Sequence, residues 1–274
     1  MRVLIASEPA TPGRDNEDFA AAAPGLAVLL DGAGIPAGLE SGCSHSVAWY
    51  ARTLGGLLLA EALDPRTSLA DALAASIERV NALHSHTCDL QHPGSPSATV
   101  VAVRVAGDRL EHLVLADSVL VLDRTDADPL VISDDRLAGV LARLDGPDER
   151  PPLGSAEHAA FQLARVRKLN DHRNRPGGFW VASTRPEAAE QALTGSTPLD
   201  RVRAVALLSD GASRPADRFG LLTWPDLLAL LDKNGPAELL TQTRDAEHSD
   251  PDGTRWPRGK ASDDATAVYW ALHD

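Results

Sequence analysis

Two short apolar runs, far apart in the chain, both stop at Asp-Gly. Residues 26–30 read Leu-Ala-Val-Leu-Leu and lead into Asp31-Gly32-Ala33-Gly34; residues 204–208 read Ala-Val-Ala-Leu-Leu and lead into Ser209-Asp210-Gly211. A five-residue apolar run cut off in this way is a core strand that finishes at a tight turn. Each strand therefore carries a carboxylate at its tip. The glycine that follows lets another stretch of backbone come close. Carboxylates on rigid strands, aimed at one place, are what a hard, oxygen-seeking cation needs. The pattern predicts that positions 31 and 210 meet in a single pocket.

The remaining periodicities predict strands over 1–6, 20–30 (a hairpin turning at Pro24-Gly25), 97–105, 110–116, 119–123, 130–132, 179–182, 202–208 and 267–272. Helical spacing is expected over 46–63, 69–83, 156–170, 186–193, 224–231 and 237–247, with Ser68 or Thr67 as a cap for the second. Residues 137–154 read as a polar, proline-containing connection, and 249–260 as a loop. Asp117 falls inside a strand of a hairpin. Strands joined by tight turns pair antiparallel. Their grouping is an α+β pattern without strict βαβ alternation. The strands run from end to end of the chain, so residues 1–274 are expected to form one domain.

Charge narrows the function. Asp and Glu number 39 against 26 Lys and Arg, a formal net charge of −13. That argues against a nucleic-acid or membrane-surface partner, which needs a basic face. The basic stretch Arg165, Arg167, Lys168, His172, Arg173 and Arg175 reads as a solvated helix face rather than a docking surface. The two cysteines, Cys43 and Cys88, suggest neither a metal-ligand pattern nor a disulfide framework. No basic segment followed by an apolar stretch opens the chain, and no apolar run spans a bilayer, so a cytoplasmic protein is expected. Trp49, Trp180, Trp224, Trp256 and Trp270 are scattered, as core residues are.

Further acidic residues share the placing of Asp31 and Asp210. Glu17-Asp18 follows Arg14 in the cluster Arg14-Asp15-Asn16-Glu17-Asp18. Asp117 stands in Ala116-Asp117-Ser118, and Asp263 opens Asp263-Asp264-Ala265-Thr266. Any one of these is a common turn element. In this order, together with the Ser95–Val101 stretch, they resemble the metal-dependent protein phosphatases of type 2C (PPM), in their bacterial form. The likeness runs from Gly13 to Ala271.

The resemblance implies a four-layer α-β-β-α sandwich, two central antiparallel sheets flanked by helices, with a variable flap-like region over about 140–200. It implies a serine/threonine phosphoprotein phosphatase that hydrolyses phosphate monoesters with a water bridging two Mg²⁺ or Mn²⁺ ions. Asp31 would bridge the ions and Gly32 would bind one through its carbonyl. Asp210 and Asp263 would complete the shell of the second, and Glu17 would hold metal-bound water. Asp117 would serve a third ion, Asp18 would support the others, and Arg14 would grip the substrate phosphate. The expected partner is a phosphorylated protein, and the chain is expected to be a monomer.

All-oxygen donors suit Mg²⁺ and Mn²⁺. Two such ions can activate water and neutralise a phosphoryl group. The chain departs from the family pattern at four places. Arg14 lies three residues before Glu17, where the family has four. Ala33 replaces a histidine proposed as general acid, a role His45 could take over. Ala116 replaces glycine and Asp264 replaces asparagine. The displaced Arg14 and the missing early histidine motivate a second reading, a non-catalytic phosphoprotein-binding or regulatory module; a third is a phosphate monoesterase for small molecules.

Overall fold

In a computed structural model the described residues are 2–36, 39–144 and 151–273. The strands are β1 (Arg2–Glu8), β2 (Phe19–Ala23), β3 (Leu26–Leu30), β4 (Gly32–Ala33), β5 (Ser97–Ala98), β6 (Val100–Ala106), β7 (Arg109–Leu115), β8 (Val119–Arg124), β9 (Leu130–Ile132), β10 (Leu193–Pro198), β11 (Val202–Leu208) and β12 (Ala265–Ala271). The helices are α1 (Val47–Glu61), α2 (Leu69–His84), α3 (Arg136–Leu144), α4 (Ala156–Asn170), α5 (Asp210–Asp217), α6 (Trp224–Asn234) and α7 (Pro236–Ser249). One antiparallel sheet runs β1-β12-β11-β8-β9 and the other β10-β7-β6-β3-β2.

The apolar run of β3 is buried at all five positions because both of its faces are covered. Side chains alternate across a strand. Ala27 and Leu29 meet the second sheet through Leu120, Leu207, Val268 and Trp270. Leu26, Val28 and Leu30 meet Tyr50, Leu54 and Leu58 of α1 and Leu73 and Ile77 of α2. The opposite sheet has the same arrangement. Ala206 and Leu208 of β11 pack under Leu227 and Leu231 of α6 and Leu239 and Leu240 of α7. The result is the α-β-β-α sandwich, with one core between the sheets and one under each helical layer. Ser46 and Ser68 cap α1 and α2 by accepting from the backbone N–H groups of Trp49 and Asp71.

Four elements differ from the sequence reading. Residues 136–144 form α3, not a connection. Its apolar side is only Leu137, Val140 and Leu144, packed on Phe179 and Val181, too short a stripe to stand out. Residues 210–217 form α5, where Asp-Gly and an internal Pro215 suggested a turn. Residues 193–198 form the exposed edge strand β10, whose composition (Leu-Thr-Gly-Ser-Thr-Pro) carries little strand signal. Residues 179–182 make only isolated bridges, Ala98 to Ala182 and Arg173 to Phe179.

The position of Asp117 also changes. β7 and β8 belong to different sheets, so Ala116-Asp117-Ser118 is a crossover from one sheet to the other. Ala116 sits there in the left-handed region at φ 67, a conformation that favours glycine.

Candidate metal centre

β3 and β11 end on the same side of the inter-sheet core, one strand from each sheet. Asp31 follows β3, and its position is fixed by Thr99. The Asp31 N–H donates to Thr99 Oγ1 at 3.2 Å, and the Thr99 N–H donates to the Asp31 carbonyl at 2.9 Å. Thr99 Oγ1 also lies 2.5 Å from the hydroxyl of Ser118, the neighbour of Asp117. After β11, Ser209 is locked to β12: its N–H donates to the Thr266 carbonyl at 3.0 Å, and its Oγ accepts from the Thr266 N–H at 2.9 Å. Asp210 then opens α5, and its N–H donates to Asp31 Oδ2 at 3.4 Å.

Glu17 and Asp263 enter from the segments that precede β2 and β12. Asp264 holds the first of these in place. Its Oδ1 accepts from the Ala10 N–H at 2.6 Å and its Oδ2 from the Glu17 N–H at 2.7 Å. Asp263 is held by cations, accepting from Lys260 Nζ at 2.7 Å and from Arg214 Nη2 at 3.1 Å. Both glycines of the Asp-Gly pairs are needed for close approach. A Cβ on Gly32 would run into the Glu17 carbonyl oxygen, and one on Gly211 into the Asp264 carbonyl oxygen.

The electrostatics show how closely these groups are gathered. Burial, then the charges of Asp18, Asp210, Asp263 and Asp117, push the Asp31 carboxyl well above its ordinary range. Burial and then Asp210 push Asp117 up to about 7. Asp210 is raised by burial and by Asp263, while Arg214, Arg218 and Lys260 pull it back. Glu17 is raised by burial, with Lys260 opposing. Asp18 is 5% exposed and neither carboxylate oxygen has a hydrogen-bond partner. Burial pushes it up to about 7, against the nearby Thr266 and Ser209 hydroxyls. The pocket thus holds more carboxylate than its own cations balance. Its donors are oxygens throughout, which fits Mg²⁺ or Mn²⁺ and does not suit a softer metal.

Of the residues picked from sequence, Glu17, Asp18, Asp31, Asp117, Asp210 and Asp263 share this pocket, with Gly32 beside Glu17. Arg14 is exposed, near enough to Glu17 for its charge to lower the Glu17 pKa. His45 lies elsewhere. Its Nδ1 is 3.4 Å from Cys88 Sγ and 3.8 Å from Cys43 Sγ, and its ring stacks on Trp49 with centroids 4.0 Å apart. The reading of the two cysteines is corrected as well: Cys43, His45, His84 and Cys88 converge in one cluster of potential metal ligands. Arg173, from the basic stretch, is a structural tie, donating to the carbonyls of Pro93 at 2.7 Å and Ser95 at 3.0 Å.

Arg214, Lys260 and the tethering role of Asp264 were not legible from sequence. Lys260 three residues before Asp263 was the available signal, and Arg214 four residues after Asp210 needs a helix that Pro215 concealed.

The family model described as protein phosphatase 2C matches residues 11–243. The chain belongs to the protein phosphatase 2C family. It is a metal-dependent protein phosphatase by that membership. Solved structures share the fold. The catalytic domain of the serine/threonine phosphatase PstP, in complex with two manganese ions, is 19% identical, with 98% of this chain and 97% of that one covered at a TM-score of 0.56. The PPM phosphatase MsPP from Mycobacterium smegmatis is 18% identical, covering 100% and 99% at 0.58. Stp1 from Staphylococcus aureus is 12% identical, covering 99% and 95% at 0.58. No curated protein matches the chain. Among the described residues of this phosphatase, no helix is long and apolar enough to cross a membrane.

Proposed function

We propose that this chain dephosphorylates phosphoserine or phosphothreonine in proteins, with Asp31, Asp210, Asp263, Glu17, Asp117 and the Gly32 carbonyl holding two Mg²⁺ or Mn²⁺ ions and a third. The observation that carries the reading is the convergence on Asp31 of Asp210, Asp263 and Asp117, from different elements and both sheets. When bound, the ions supply Lewis-acid activation of water and neutralise charge on the phosphoryl oxygens. Phosphate monoesters hydrolyse very slowly without catalysis, so a large barrier reduction is required.

The protein's own groups position this machinery. The Asp210 N–H orients the Asp31 carboxylate. Arg214 and Lys260 fix Asp263. Asp264 anchors the Glu17 backbone. Arg14, exposed beside Glu17, is placed to grip a substrate phosphate, which a guanidinium fork matches bidentately.

The inter-sheet core unites strands from both ends of the chain, which supports reading 1–274 as one phosphatase domain with 140–200 as its variable region. The reading places the enzyme in the cytoplasm, and the acidic net charge supports a protein rather than a nucleic-acid or membrane partner. The reading takes the enzyme as a monomer.

The test is turnover of p-nitrophenyl phosphate and of a phosphothreonine peptide with and without Mn²⁺, in wild type and Asp31→Asn. Turnover indifferent to Mn²⁺, or retained in the variant, overturns the site. Turnover of the small ester alone rejects the protein substrate.

A further inference from the structure

We propose that Cys43, His45, His84 and Cys88 form a structural zinc site, separate from the carboxylate centre. Their ligand atoms all lie within 4.8 Å of one another. Cys43 Sγ is 3.5 Å from His84 Nδ1 and 3.8 Å from His45 Nδ1, and Cys88 Sγ is 3.4 Å from His45 Nδ1. A tetrahedral ion with Zn–S about 2.3 Å and Zn–N about 2.0–2.1 Å sets its ligand atoms roughly 3.3–3.8 Å apart. The two sulfurs are 3.1 Å apart and unbonded. An ion between them needs only a small outward rotation of the thiols.

The backbone brings the four together from two short pairs. His84 ends α2, and the Cys88 N–H donates to the His84 carbonyl at 3.0 Å, so one turn of chain puts both side chains on one side. Cys43 and His45 flank Ser44, just before Ser46 caps α1. The Asp89 N–H donates to the Gly42 carbonyl at 2.7 Å and joins the two segments.

His84 faces the cluster through Nδ1 alone. It is 1% exposed, and its Nε2 has no partner. All of its polar contact is therefore on the Nδ1 side, toward Cys43. A buried imidazole facing two thiols has only weak sulfur hydrogen bonds to offset its desolvation. A soft S₂N₂ donor set selects zinc over Mg²⁺ or Mn²⁺. Zinc takes both sulfurs as thiolates, releasing to solvent any proton they still carry, and two thiolates balance the ion's charge. All four positions are filled by protein, which marks the site as structural rather than catalytic.

Its place in the fold gives it a purpose. Val47, two residues after His45, opens α1 and packs on the Asp31-Gly32 turn, where a Cβ on Gly32 would come within 2.7 Å of it. Zinc would pin residues 43–45, which lead into α1, to the end of α2.

The experiment is metal analysis of the full chain, purified without chelator and dialysed against excess Mn²⁺, together with the visible spectrum of Co²⁺-loaded protein. One zinc per chain that resists dialysis is expected, as are Co²⁺ bands of a tetrahedral thiolate site. Cys43→Ser and Cys88→Ser should each lose the zinc, whereas Asp31→Asn should keep it, which separates this site from the phosphatase reading. Wild-type protein without zinc overturns the proposal, whether both thiols react with a disulfide reagent or the intact mass shows a Cys43–Cys88 disulfide. So does zinc that is undiminished in Cys88→Ser. The wild-type Co²⁺ spectrum decides the matter even if the variants fold poorly.

Discussion

The backbone amide of Asp210 donates to Oδ2 of Asp31 at 3.4 Å, across 179 positions of sequence and from the opposite sheet. A strand tip in each sheet can do this only if both end at the same edge of the inter-sheet core. The site is thus a property of how the two sheets stack. Small changes at that edge reach the metal ligands directly.

Asn in place of Asp31 or Asp210 preserves shape and removes charge. Each variant should lose at least roughly 100-fold in Mn²⁺-dependent turnover, as loss of a metal ligand implies. Stability should move the other way or not at all. Without Mn²⁺ the pocket crowds carboxylates together, so removing one relieves repulsion, a common trade between stability and activity. Thermal melts without added Mn²⁺ check this. A Tm several degrees below wild type would mean that the carboxylate has a structural task instead.

Asp264 uses both carboxylate oxygens on backbone N–H groups, those of Ala10 and Glu17. An asparagine offers one oxygen and turns an NH₂ toward the other donor. Asp264→Asn should cost about 1 kcal/mol, the net worth of one hydrogen bond at a half-buried site. The loosened Glu17 loop should weaken Mn²⁺ binding. Denaturant unfolding and a Mn²⁺ titration of activity measure the two effects. Equal stability and equal Mn²⁺ affinity in the variant would show that the tether is dispensable.

How far the sequence could be read follows from the range of each signal. β3 and β11 are continuous apolar runs because both of their faces are buried, and their carboxylates follow directly. α1 and α2 show their caps and periodicity. By contrast, α5 hides behind Pro215, and β10 lies on an exposed edge where no burial pattern forms. Asp264 stands out in the sequence only as a replacement for asparagine, yet its work is to accept two backbone donors from the other end of the chain. The Cys and His cluster follows no familiar spacing. Its pairs, Cys43-x-His45 and His84-x₃-Cys88, meet only because α1 and α2 lie side by side.

Gly55 and Gly56 are neighbours on α1 with opposite surroundings. A Cβ at Gly55 would strike the Phe19 ring and come within 3.1 Å of Leu30 Cδ1, whereas one at Gly56 meets nothing within 4 Å. Gly55→Ala should destabilise by about 1–3 kcal/mol through overpacking. It should also lower activity, because Phe19 adjoins Asp18. Gly56→Ala should stabilise by roughly 0.5–1 kcal/mol, as alanine does in an exposed helix interior. Paired denaturant curves test this. Shifts of the same sign would refute it.

Asp250 anchors the loop that leads to Asp263. Its carboxylate accepts from the N–H groups of Arg255 and Trp256, each at 3.0 Å, and from Arg258 Nη1 at 2.7 Å. Desolvation raises its pKa, but these donors together outweigh it and hold the carboxyl at about 2. The unfolded value is near 3.9. Ionised Asp250 therefore contributes stability that is fully present above about pH 4 and is lost as pH falls toward 2. Arg258 is fully buried, and losing its counter-charge should cost about 3 kcal/mol. At pH 7, Asp250→Asn should melt roughly 5–10 °C below wild type. The gap should narrow as the pH drops below 4, because wild type itself becomes protonated there. Since the loop positions Asp263, half-saturation of activity should also need more Mn²⁺ in the variant. Melting curves from pH 2.5 to 7 decide the matter: a gap that stays constant with pH would show that the Asp250 charge is not what holds the loop.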